Sequence, residues 1–210
     1  MARKTKAEAR ATRDRILDAA EVMFCVRGAA RTSLHEIAES VEMTRGAVYW
    51  HFKDKYDLLL ALWERAKLPI EEALDAIDAE VELSPLQRIK KKVMGLFHRI
   101  VHDERTRNLL TILLLRCEMV DEVAAAREHI LGQRDECLDK LVGEFAAAIQ
   151  CGELRDDVEP RAAAIGLHAI VDGLAYHWLL DASRFDLEVV GGSTLEGWLT
   201  GLGSMDRVGG

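Results

Sequence analysis

Apolar residues recur at a helical spacing along most of this chain, and that pattern limits the fold more than any other feature. Ile16, Ala19, Ala20, Met23 and Phe24 form one stripe; Leu34, Ile37, Ala38 and Val41 form a second; Ile89, Val93, Leu96, Phe97 and Ile100 form a third. Each repeats every three to four residues and so gives an α-helix one apolar face, whereas a half-buried strand needs strict alternation. Only three prolines occur in 210 residues, so long stretches keep every backbone donor. Ala, Leu, Glu and Arg, which favour helices, dominate the remainder. With 49% hydrophobic and 30% charged residues, such helices can bury a real core. The expected fold class is all-α.

Start and stop signals divide the pattern. A first helix reads over residues 7–26 and ends at Arg27-Gly28, where glycine suits a left-handed cap. Ser33 with Glu36 three residues later is a capping box for the second helix. Glu42-Met43 is a break, and Thr44 caps a third helix over 45–52. Asp54 caps a long helix running through Leu58, Leu62 and Ala66, which Pro69 is expected to kink or interrupt. Three short helices, the second and third about three residues apart, outline a helix-turn-helix.

A larger helical body follows. Ser84-Pro85 starts one helix, and "LLTILLLR" within residues 105–119 reads as buried all round. A long amphipathic helix is expected over 121–150, ending near Gly152. Glu159-Pro160 starts another, with proline in its favoured first-turn position, and it is expected to lie buried as far as Leu180. A short last helix fits 193–202, and 204–210 reads as a disordered tail. The expected domains are 1–55, with a basic arm at 1–12, and 56–203.

The net charge of −8 at first argues against nucleic acid. It hides an asymmetry: residues 1–55 carry 11 Lys/Arg against 8 Asp/Glu, and the rest carry 17 against 28. A basic end on an acidic body suits contact with a polyanion at one end, though a solvated tail has the same composition. Cys25, Cys117, Cys137 and Cys151 show no close pairing and read as reduced thiols of a cytoplasmic protein. No apolar run of about 20 residues marks a membrane span, and the N-terminus lacks the apolar stretch of a secretory signal. No GxSxG, HExxH, P-loop or GxGxxG supports an enzyme, and no cofactor is expected. His98 and His102 have metal-ligand spacing, but no third ligand clusters with them in sequence; a solvated helix end is expected, and no metal.

The stretch "MTRGAVYWHF" carries the strongest functional signal. As a helix, it packs Ala47, Val48 and Phe52 inward and spreads Arg45, Gly46, Tyr49, Trp50 and His51 outward. Arginine can donate twice to guanine N7 and O6. Thr44 and the free N–H groups at the helix start suit a phosphate, as do Tyr49 and His51. Gly46 lets the backbone approach a groove, and Lys55 adds a phosphate contact. Aromatics this exposed usually have a partner, and double-stranded DNA fits these donors.

These residues also carry a resemblance. Residues 12–62 resemble the DNA-binding domain of TetR-family transcriptional regulators, matching its pattern at Ala20, Phe24, Gly28, Thr32, Ile37, Ala38, Thr44, Gly46, Tyr49, His51, Phe52, Lys55 and Leu58. "ARTSL" and "TRGAVYWHF" are similar to the subgroup that represses multidrug efflux pumps. The resemblance adds Thr32 and Ser33 to the DNA contacts. It implies an all-helical homodimer whose second domain binds ligand and dimerises, a palindromic operator, and release by a small hydrophobic drug. A TetR-like regulator that answers to a protein partner instead is the alternative.

Within the second domain, His168, Asp172 and Tyr176 make a polar stripe on an apolar helix. A carboxylate in apolar surroundings needs a partner: a ligand, a water-lined pocket, a basic side chain or an internal hydrogen bond. The resemblance places Asp172 and Tyr176 in a drug cavity, with Leu96, Phe97, Leu110, Leu113, Leu114 and Cys137 completing an apolar pocket. Each of those leucines is equally readable as plain core. Gly166 and Gly173, seven apart, suit close helix approach at a dimer seam with Leu195, Trp198, Leu199 and Leu202, or a local packing need.

Overall fold

The computed structural model describes residues 5–116 and 124–203. The first residues of the basic arm, Cys117 and the expected disordered tail lie outside them. The described residues form helices joined by turns, with one isolated β-bridge between Leu154 and Gly203. The order is α1 (Lys6–Arg27), α2 (Leu34–Ser40), α3 (Arg45–His51), α4 (Lys55–Asp78), α5 (Pro85–His102), α6 (Glu104–Thr111), a π-helical turn (Ile112–Arg116), α7 (Ala124–Gln150), α8 (Pro160–Leu180) and α9 (Leu187–Leu202). The all-α reading holds.

The chain forms two compact units, Met1–Pro69 with Arg105–His129, and Ile70–Glu104 with Ile130–Gly210. In the first, α2 packs on α1 and α3 around Ile16, Phe24, Ile37, Val48, Phe52 and Leu58, each almost wholly buried. Burying each of these side chains contributes roughly 1.5–3 kcal/mol. Local signals fix the helix ends. Thr5 with Glu8, and Ser33 with Glu36, form capping boxes, and the Ser33 N–H and hydroxyl hold the Glu36 carboxyl below the usual carboxylate range.

The break between α2 and α3 is a Schellman turn. The Met43 N–H donates to the Ala38 carbonyl (2.9 Å) and the Glu42 N–H to that of Glu39 (3.0 Å), with Glu42 left-handed at φ 57. Gly28 has φ +88 and ψ 153, a region open only to glycine, and a Cβ there would lie 3.1 Å from the Arg116 carbonyl oxygen. The same carbonyl accepts from the Ala29 N–H at 3.1 Å. The end of the π-helical turn therefore closes on the α1–α2 corner.

Several expectations need correction. Pro69 does not interrupt α4, which stays helical to Asp78. The 105–116 stretch is not buried all round: Leu109 and Ile112 are buried, but Leu114 is 37% exposed. The last helix starts at Leu187, where Asp186 caps it by accepting from the Val189 N–H. Helix α8 is not buried throughout: Ala163, Ala164, Leu167, Ala175 and Trp178 are buried, while Ile165, Tyr176 and Leu180 face outward.

In the second unit, α5, α8 and α9 pack on one another, and Phe145 of α7 meets Trp198 edge-on at 6.1 Å. Gly166 fits the Trp198 ring, with a Cβ placed 3.1 Å from it, so it serves packing inside one chain, while Gly173 faces open space. Leu195 and Leu199, expected at a dimer seam, are buried within the chain itself. The tightest approach was not foreseen: a Cβ on Gly191 would fall 2.5 Å from the buried Phe97 ring. Gly191→Ala is expected to cost about 1–3 kcal/mol, read as a lower urea midpoint with an unchanged slope.

Candidate nucleic-acid interface and the ligand-side residues

Thr44 caps α3 by accepting from the Ala47 N–H at 3.2 Å. Val48 and Phe52 hold the helix against the core, which fixes the direction of its other face. On that face Arg45 donates to the Tyr49 hydroxyl at 3.0 Å, and its guanidinium lies 5.0 Å from the Tyr49 ring centre. One turn of helix thus carries a cation already ordered by an aromatic neighbour. Trp50 is 74% exposed and meets His51 edge-on at 4.6 Å. A Cβ at Gly46 would meet nothing within 4 Å, so the backbone there is open to an approaching surface.

Two of the expected DNA contacts, Thr32 and Lys55, line the same face and also bond within the fold. Thr32 is 1% exposed and donates its hydroxyl to the Gly28 carbonyl at 2.9 Å. Lys55 donates to the Ala29 carbonyl at 3.3 Å and reaches that of Ala30 at 3.5 Å. Both brace the α1–α2 corner. Ser33 caps α2. Between α2 and α3 runs a concave surface lined by Arg31, Ser33, His35, Arg45, Tyr49 and Lys53 among others. The reading of the sequence omitted Arg31, His35 and Lys53; a basic residue flanking each helix was the available signal.

An ion-pair network ties α1, α4 and α6 together within the first unit. Arg65 donates to Asp18 (2.6 Å) and to Glu21, and the Asn108 amide donates to the other Glu21 oxygen at 2.9 Å.

The expected ligand-side residues divide between the units. Leu110, Leu113 and Leu114 belong to the first, and Leu96, Phe97, Cys137, His168, Asp172 and Tyr176 to the second. Phe97 is fully buried and Cys137 exposed. Asp172 is not enclosed by apolar groups: its side chain is 55% exposed and pairs with His168 Nδ1 at 3.0 Å. The basic side chain that the sequence reading weighed as a partner is therefore His168. Tyr176 is exposed beside His177. In the same unit Lys92 bridges Asp78 (2.5 Å) and Glu144; burial opposes its charge, but the two carboxylates outweigh it and push its pKa up. His98 and His102 do not end in solvent alone. Glu188 of α9 bonds to both, at 2.8 and 3.0 Å, and those bonds hold its carboxyl below the usual range.

A buried three-helix frame that presents an ordered arginine and exposed aromatics on a short capped helix defines a helix-turn-helix DNA-binding protein. Residues 16–62 match the family described as bacterial regulatory proteins, tetR family. Residues 84–202 match the C-terminal region of MAATS-type transcriptional repressors. The chain belongs to the TetR family and is a transcriptional repressor related to efflux-pump regulators. It is similar to the transcriptional regulator TtgR of Pseudomonas putida, with 37% identity over 187 residues, 89% of each chain. To AcrR of Shigella flexneri it is 38% identical over 191 residues, 90% of this chain and 87% of the relative. Among solved structures it resembles NalD, described as the secondary repressor of the MexAB-OprM multidrug efflux pump in Pseudomonas aeruginosa. That match has a TM-score of 0.86 at 32% identity and covers 95% of this chain and 99% of the other. A SmeT–triclosan complex matches with a TM-score of 0.80 at 32% identity over 95% of each chain. These relatives are DNA-binding regulators, not enzymes.

Proposed function

We propose that this protein is a cytoplasmic repressor that binds a palindromic operator as a homodimer, controls a multidrug efflux operon and is released by small hydrophobic drugs. The observation that carries this reading is the exposed face of α3, where Arg45, Tyr49 and Trp50 stand in the position of a recognition helix. Ile165, Leu180 and Val189, apolar and outward on α8 and α9, support pairing with a second copy. The drug class follows from the relatives: one represses a multidrug pump, and one is bound to triclosan. Leu96, Phe97, Cys137, His168, Asp172 and Tyr176 are the proposed ligand-side residues of the second unit, and Leu110, Leu113 and Leu114 those of the first. Drug binding favours a conformer in which the two reading helices no longer match successive major grooves, about 34–36 Å apart.

The network of Arg65, Glu21 and Asn108 supports a mechanical link, because α6 and α4 both grip α1. Fluorescence anisotropy of labelled DNA from upstream of the protein's own gene, with and without triclosan and other apolar antimicrobials, tests the proposal. Saturable, sequence-selective binding that one drug reverses is the expected result. Selective binding that no drug reverses would sink the drug-release mechanism and favour signalling through a protein partner.

A further inference from the structure

His98 and His102 sit one turn apart on α5, and their ring centres are 4.3 Å from each other. Glu188, in the first turn of α9, does not choose between them. One carboxylate oxygen lies 2.8 Å from His98 Nδ1 and the other 3.0 Å from His102 Nε2. The ligand atoms of the three residues all fall within 4.8 Å of one another. Tetrahedral zinc, with bonds of about 2.0–2.2 Å, holds its donors about 3.4 Å apart. The three donors therefore need only side-chain rotation to enclose one ion. Two imidazoles and a carboxylate are borderline ligands that suit Zn²⁺, Ni²⁺ or Co²⁺ better than Ca²⁺ or Mg²⁺.

We propose that His98, His102 and Glu188 form a divalent transition-metal site that clips α5 to α9. The ion takes the place of the two N–H···O bonds. The proton on each inner nitrogen leaves as the ion binds, to solvent or to the outer nitrogen of the same ring, so each neutral imidazole gives its inner lone pair and carries its proton on the outer nitrogen. Water completes the coordination, since both histidines are exposed. The pairing is carried by helix register on one side and by the start of α9 on the other, so it is present only when α5 and α9 are packed. Metal bound there stabilises the folded second unit by linkage. This inference stands apart from the proposed DNA and drug functions, which use other residues.

The test is a calorimetric titration of the full-length protein with Zn²⁺, with cobalt(II) absorbance as a second measurement. One ion per chain is expected, with a visible cobalt spectrum lacking the near-ultraviolet thiolate band that cysteine ligation gives. Zinc should raise the melting temperature of the unmodified protein. His102→Ala and Glu188→Gln should each weaken binding by more than about 10-fold, the smallest loss that even outer-shell changes typically cause. His98→Ala combined with His102→Ala should abolish the thermal shift. Absence of saturable binding, unchanged affinity in the variants, or a thiolate cobalt spectrum would overturn the proposal.

Discussion

Arg45→Ala is expected to weaken operator binding by about 30- to 20,000-fold. Arg45 is the first residue of α3, and the N-terminal residues of a recognition helix are those that reach base edges. A bidentate arginine–guanine pair contributes about 1–3 kcal/mol of discrimination, and the proposed dimer on a palindrome would make it twice. A total of about 2–6 kcal/mol converts to that loss at 1.4 kcal/mol per decade. Tyr49 preorders the guanidinium through its hydroxyl and ring, so Tyr49→Phe, which keeps the ring, should cost less than Tyr49→Ala. Arg45→Lys separates base reading from charge. It keeps the cation but not the fork, and should lose selectivity while retaining most non-specific affinity. Anisotropy against operator and scrambled DNA at one fixed salt concentration measures both. Full operator affinity in Arg45→Ala would move base reading to another face.

Arg65→Ala is expected to destabilise the protein by about 2–3 kcal/mol, because it strands a buried carboxylate. Glu21 is 9% exposed and is held by Arg65 of α4 and Asn108 of α6. Without Arg65, a single neutral amide must satisfy that charge. For a chain of this size the loss corresponds to a fall of about 4–12 °C in melting temperature, followed by circular dichroism. Asp18, at the exposed edge of the network, contributes less, and Asp18→Ala should move the transition little. Adding Glu21→Gln to Arg65→Ala should recover part of the loss by removing the stranded charge. An unchanged melting temperature in Arg65→Ala would mean that Asn108 and water suffice for Glu21.

Local chemistry made the helix-turn-helix legible. The capping side chains of Ser33 and Thr44, the glycine at position 28 and the stripes that bury Phe24, Ile37 and Val48 act within a turn or two of the backbone they organise. The outward face of α3 followed from the same register. The Schellman turn was less visible, because Glu42 takes the left-handed position that a glycine would have announced. At Pro69, where local propensity predicts a kink or an interruption, the structure keeps the residues helical to Asp78.

What the sequence determined by itself was helix placement and the exposed face of α3, because both depend on neighbours three or four residues away. Tertiary structure decided the rest. It bonded Thr32 and Lys55, both expected at DNA, to the carbonyls of Gly28 and Ala29, so that both also brace a corner. It set Gly191 against Phe97, and it brought Glu188 to two histidines 86 and 90 residues away. Contacts between residues so far apart depend on how whole helices cross, and periodicity along one helix carries no record of its partner's register.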